Sequence, residues 1–218
     1  MNNGIVMNPE WYTLKMREEY LRSKCADTVE VYMHTIRIIG PNLKSLYMVN
    51  IGQYECRLFQ LKIEIRQWKR RFELRQQALN RGEMPDYIAI EDVLEREFED
   101  YVRQIRERYE TLKKAALNMT EELLSDEETT AIRIEYLNAV KKLHPDINPS
   151  LPDIARLEDR LKEISRRLND LWCEEPYIWK HLFENDDEVR VRQNALKKLI
   201  ESAEAKVSLY ERMWKEER

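Results

Sequence analysis

Glycine is nearly missing from this chain, at 4 of 218 residues, and it never clusters. That excludes the loops in which glycine backbone cradles phosphate, and neither a GxGxxG nor a P-loop string occurs. GxSxG and HExxH are also absent, so nucleophile-elbow and zincin chemistry lack their usual frames. Histidine is as scarce. His34, His144 and His181 lie far apart, with no spacing that suits a metal. Cys25, Cys56 and Cys173 form no CxxC pair and none adjoins a histidine, which argues against a zinc module or a disulfide framework and for a reducing compartment. Each cysteine is expected to be a small buried hydrophobe. No apolar run approaches membrane-spanning length. The start, MNNGIVMNPEWY, lacks the basic-then-apolar order of a signal peptide, so a cytoplasmic protein with no membrane partner is expected. Nothing here asks for a cofactor or a metal, and the expectation is a protein that is not an enzyme.

What the chain has is charge of both signs. Charged residues make up 36% of it, yet the net charge is only -4. With so little glycine and no strand-like alternation, this points to long solvated helices and an all-α fold. The acidic pairs Glu127-Glu128 and Asp186-Asp187 read as helix N-terminal residues rather than as acid/base dyads.

The rare breakers draw the map. Helices are expected over about 10–24 and 27–38, with a stop at Gly40-Pro41. A stretch over 43–81 has its weak point at Gly52 and ends at Gly82 and Pro85, and a long helix then runs over about 88–123. On either side of Gly82 runs one apolar stripe. Tyr54, Leu58, Leu61, Ile65, Trp68, Phe72 and Leu79 form the first, with Arg75 at the step between the last two. Phe98, Tyr101, Ile105, Tyr109, Leu112, Ala116 and Met119 form the second. The short RGEMPD link predicts an antiparallel, coiled-coil-like hairpin. Such a hairpin serves either as an internal helix pair, the reading preferred here, or as a partner-binding stalk. The last segment opens with Asn185 to Glu188 as an acidic cap, and Leu196, Leu199, Ala203, Val207, Tyr210 and Trp214 make one face. That face packs on the hairpin or on a second copy of the chain, so homo-oligomerisation through the stripes stays open. The basic run WKRRFELR, Trp68 to Arg75, would suit phosphates, but its aromatics fall on the apolar stripe, so a nucleic-acid partner is not expected.

Ser125-Asp-Glu-Glu128 is a capping box that should start a helix with Ile132, Tyr136, Ala139, Val140 and Leu143 on its buried face. His144 precedes a proline, so that helix should stop near Leu143. A second capping box, Ser150-Leu-Pro-Asp153, opens a helix whose seam is Ile154, Leu157, Leu161, Ile164, Leu168 and Leu171. Two capped helices should thus lie antiparallel, with a stiff loop, LHPDINPS, exposed at their tip.

This stretch resembles the J domain of the DnaJ family, the co-chaperones of Hsp70, over about residues 107–172. Tyr136 stands eight residues before His144, Ile132 four before that, and Lys142 two before the histidine. His144-Pro145-Asp146 is followed by Ile147 and then Asn148-Pro149, and LKEISRRLNDL, Leu161 to Leu171, is similar to the family's third helix. The resemblance implies that His144, Pro145 and Asp146 contact an Hsp70, with Arg133, Lys141 and Lys142 as the basic face beside them. It also implies a core of Ile132, Tyr136, Leu143, Leu161, Ile164, Leu168 and Leu171. Departures are visible. The family's opening Tyr-x-x-Leu-Gly-Val is replaced by RYETLKKAALNMTEELL, and Glu135 and Asn138 stand where basic residues are common. Fewer positive charges imply slower encounter and lower affinity. The expected organisation is N-terminal helices over 1–50, the long hairpin over 51–120, and the J-like segment over 107–172 sharing its second helix. The HPD loop covers 144–150, and a C-terminal helical extension covers 173–218. The expected function is that of a divergent J-domain-like co-chaperone or adaptor. The alternative is a structural adaptor that keeps the J-like fold without stimulating Hsp70.

Overall fold

The computed structural model describes residues 9–120 and 154–217, and among these the fold is all-α, with no strand. Helix α1, Pro9–His34, passes through a π-helical turn, Thr35–Ile39, into α2, Gly40–Tyr47. A second π turn, Met48–Gly52, leads into α3, Gln53–Asn80. Then come α4, Tyr87–Thr120, and α5, Ile154–Leu171. A 3-10 turn at Tyr177–Trp179, the short α6, Lys180–Phe183, and α7, Asp186–Glu217, complete the chain.

The break expected between 24 and 27 is absent, and Gly40-Pro41 does not stop the helix. Pro41 offers no N–H to close an ordinary helical turn, and its ring would collide with the carbonyl four residues back. The wider turn just before it absorbs that defect. The Gly40 N–H reaches back five residues to the Thr35 carbonyl. Gly52 does mark an irregularity, as the last residue of the second π turn.

The α3–α4 link is built as the sequence suggests. Gly82 has a φ of 74°. Its N–H bonds the Leu79 carbonyl at 2.9 Å, and the Glu83 N–H bonds Ala78 at 3.0 Å. This is a Schellman cap, which needs the left-handed residue that glycine supplies. Asp86 then caps α4, its Oδ1 accepting from the N–H groups of Ile88 and Ala89 at 3.0 and 3.1 Å.

The chain forms two compact units. In the first, α1 packs against α5. In the second, α3 is the central element, in contact with α7 and with α4. Each partner takes a different face. Leu58, Leu61, Ile65 and Trp68 pack with Leu196, Ile200, Ala203 and Val207 of α7. Phe59, Ile63 and Leu74 pack with Ile90, Leu94, Phe98, Tyr101 and Ile105 of α4. The stripe read as the hairpin's inner seam is therefore the seat of α7, and a second stripe makes the hairpin. Leu79, Ala116, Met119 and Leu199 are exposed although their stripes include them, and Ala115 is buried in place of Ala116.

At one end Trp214 meets three rings edge-on: Phe72 at 5.3 Å, Tyr87 at 5.6 Å and Trp68 at 6.3 Å between centroids. At the other, Tyr47 stacks on Trp179 at 3.9 Å. The Tyr47 hydroxyl donates to Glu55 at 2.9 Å and accepts from Arg192 at 2.9 Å. The α7 cap forms where expected, with Asn185 Oδ1 accepting from the N–H groups of Asp187 and Glu188.

Two substitutions test this packing. A Cβ on Gly40 would lie 2.7 Å from the hydroxyl of the buried Tyr177, whose ring is rigid, whereas the close contacts of a Cβ on Gly52 would be with the flexible end of Met48. Gly40→Ala is expected to lower urea-unfolding stability by about 1–3 kcal/mol. Gly52→Ala should leave it level or raise it by up to about 1 kcal/mol. Trp214→Ala should cost about 3–5 kcal/mol in the same measurement.

Candidate functional site

The residues expected to contact a chaperone, Arg133, Lys141, Lys142, His144, Pro145 and Asp146, lie outside the described residues. So do Ile132, Tyr136 and Leu143 of the J-like core, and both capping boxes at 125–128 and 150–153. The described part of this region is α5 and what it packs on.

Helix α5 carries the seam read from its spacing. Ile164 is buried, and Leu161, Leu168 and Leu171 are half-buried. Leu157, left out of the expected J-like core, is the most enclosed of them at 1% exposure. The three-and-four spacing that joins it to Leu161 and Ile164 was signal enough to include it. The seat on α1 is made of small side chains: Cys25 and Ala26 are fully buried, with Val29 and Leu161 packed against them. Small residues let a helix approach closely, and they leave no bulky stripe for a sequence reading to find. The Cys25 thiol donates to the Leu157 carbonyl at 3.5 Å, which ties the helices at that point. Burial pushes this thiol above its ordinary pKa, with Arg160 opposing, so it packs as a hydrophobe and is a poor nucleophile. Arg17 and Glu158 close the contact with a surface ion pair.

The outer face of α5 is charged but internally balanced. Glu163 accepts from Arg167 Nε at 2.7 Å and from Arg166 at 3.2 Å, while Arg166 also reaches Asp170 at 2.8 Å. The hydrogen bonds from Arg166 and Arg167 hold the Glu163 carboxyl at about 2, against an ordinary 4.5. Two of the cations on this helix are thus committed to its own acids.

The other candidates resolve in the same way. Three guanidiniums of the Trp68–Arg75 run are taken up by carboxylates. Arg70 grips Glu97 at 2.8 and 2.9 Å, Arg71 grips Glu91 at 2.7 Å twice, and Arg75 binds Glu217 at 2.7 Å. They fix helix register, and little of their charge is left for phosphate. His34 is exposed, and His181 is exposed beside Glu184, its Nδ1 3.0 Å from Oε2. Cys25 and Cys56 are buried as expected, but Cys173 is exposed. No group of three His, Cys, Asp or Glu side chains among the described residues converges as a metal site requires. A groove of 560 Å³ between α3 and α4 is lined by Leu94, Phe98 and Val102, together with the already paired Arg71 and Glu91. No described helix is long and apolar enough to cross a membrane.

Comparison with protein-family models, with curated proteins and with solved structures yields no match to this chain.

Two outcomes check the α1–α5 pair. Leu157→Ala should cost about 2–5 kcal/mol by urea unfolding. Glu163 has a folded-state pKa below its unfolded one, so its contribution is present above about pH 4.5 and is lost as pH falls toward about 2. The difference in urea midpoint between wild type and Glu163→Gln should therefore be small but present at pH 7, and largely lost near pH 2.

Proposed function

We propose that this chain is a divergent J-domain-like protein that contacts an Hsp70-type chaperone through His144, Pro145 and Asp146, as a co-chaperone or adaptor. The observation that carries the reading is the ordered series Ile132, Tyr136, Lys142, His144-Pro145-Asp146, Asn148-Pro149 and then LKEISRRLNDL. HPD alone would carry little, but its flanks keep the family's order and spacing. A histidine and an aspartate beside a proline offer a charged contact on a backbone that loses little freedom when bound. Arg133, Lys141 and Lys142 would steer the encounter. The chain itself does no chemistry in this role; hydrolysis belongs to the Hsp70. The three cysteines are free thiols, which supports the cytoplasm as the compartment.

A second reading has one observation in its favour. Glu135 and Asn138 dilute the positive face of the second J-like helix. An adaptor that keeps the J-like segment without stimulating Hsp70 would look like this.

Single-turnover ATP hydrolysis by a bacterial Hsp70 separates the two. Addition of the full chain should raise the rate, and the His144→Gln variant should not. No stimulation by either protein, with both folded by circular dichroism, would leave the adaptor reading.

A further inference from the structure

Helix α7 has two apolar seams, and α3 covers one. The covered seam holds Leu196, Ile200, Ala203 and Val207. Beside it, Val191, Leu199, Leu209 and Met213 are 68%, 54%, 48% and 38% exposed. With Ala195, Ser202 and Lys206, they advance in steps of four, four, three, four, three and four. That is the period of a helix-pairing seam, about 33 Å long at helical rise. Ala195, Ser202 and the adjoining Ala205 are exposed and small, so a second helix can approach closely.

The charges on this face are distinctive. Lys198, Lys206 and Arg212 lie along it, and none has a carboxylate within ion-pairing distance among the described residues. Arg212 bonds only the Ser208 carbonyl, at 3.4 Å. Elsewhere in the described chain most arginines are paired. Acids lie at the ends of this face, as Asp187 and Glu188 in the first turn and Glu216 in the last, and on its flank as Glu201, while Glu217 turns to Arg75 of α3.

We infer that the outer face of α7 is a docking surface for an acidic amphipathic helix of another protein. The apolar seam would take its leucine-like face, and Lys198, Lys206 and Arg212 would take its flanking carboxylates. A second copy of this chain is the poorer occupant. Antiparallel pairing about Ser202 sets Lys198 against Lys206 and the acidic ends against each other, and parallel pairing sets like against like. An anionic membrane is also the poorer occupant, since the face carries no Trp or Phe to seat in the interface. The inference is independent of any contact made by the HPD residues.

The test uses the full chain and two labelled synthetic helical peptides with the same leucine seam, one flanked by glutamate and one by lysine. Fluorescence anisotropy should show saturable binding of the glutamate peptide only, weakened by salt. The Leu199→Glu/Leu209→Glu variant should bind it at least about tenfold more weakly. The Lys198→Glu/Lys206→Glu variant, altered only at exposed side chains, should reverse the preference and take the lysine peptide. Helicity by circular dichroism checks that both variants are folded. Absence of binding, equal binding of both peptides, or an unchanged preference after charge reversal would overturn the inference. So would self-association of the wild type in sedimentation velocity that Leu199→Glu abolishes, or uptake by anionic vesicles that Leu209→Glu abolishes.

Discussion

The second compact unit depends on one helix having two buried faces. α3 presents Leu58, Leu61, Ile65 and Trp68 to α7, and Phe59, Ile63 and Leu74 to α4. Each fully buried side chain of this size stabilises by about 1.5–3 kcal/mol, so removing either partner would strip a whole row from the core. Ion pairs follow the same division: Arg57 reaches Glu204 and Arg75 reaches Glu217 on α7, while Arg70 and Arg71 reach Glu97 and Glu91 on α4. Partly exposed pairs contribute little to stability, about 0–1 kcal/mol each. Their use here is to fix which turn of one helix meets which turn of the other. Trp214 then joins the two interfaces, since its ring meets Trp68 and Phe72 of α3 and Tyr87 of α4.

Much of this architecture is legible in the sequence wherever local chemistry decides it. Gly82 needs a left-handed turn, Asp86 and Asn185 cap the helices that follow them, and the outcome is set within a few residues. Legibility fails where a choice is made at a distance. A stripe of leucines announces that something must cover it but not which helix does, so the face of α3 that seats α7 reads as the hairpin seam. The seat of α5 on α1 is nearly silent, because Cys25 and Ala26 bury completely without forming a bulky pattern. Gly40-Pro41 misleads for a third reason: the π turn before it moves the hydrogen bond one residue back, and helix continues where an α-only reading ends it. Of the candidate contact site, the α5 seam is legible from its spacing. The contact residues themselves rest on their order in the sequence.

The α3–α4 and α3–α7 interfaces carry ion pairs such as Arg71–Glu91 and Arg57–Glu204, an arrangement suited to holding helices in register. The outer seam of α7 is left over as an exposed apolar surface, and its cations Lys198, Lys206 and Arg212 make no ion pair among the described residues.

Amide hydrogen exchange read by mass spectrometry tests the central place of α3 most directly. Peptides spanning Leu58 to Phe72 are expected to exchange more slowly than any others in 44–120 and 179–217. They should be released together by Val207→Asp on one face and by Leu94→Asp on the other. Exchange in α3 as fast as at the exposed end of α4, around Leu117 and Met119, would contradict a spine buried on two sides.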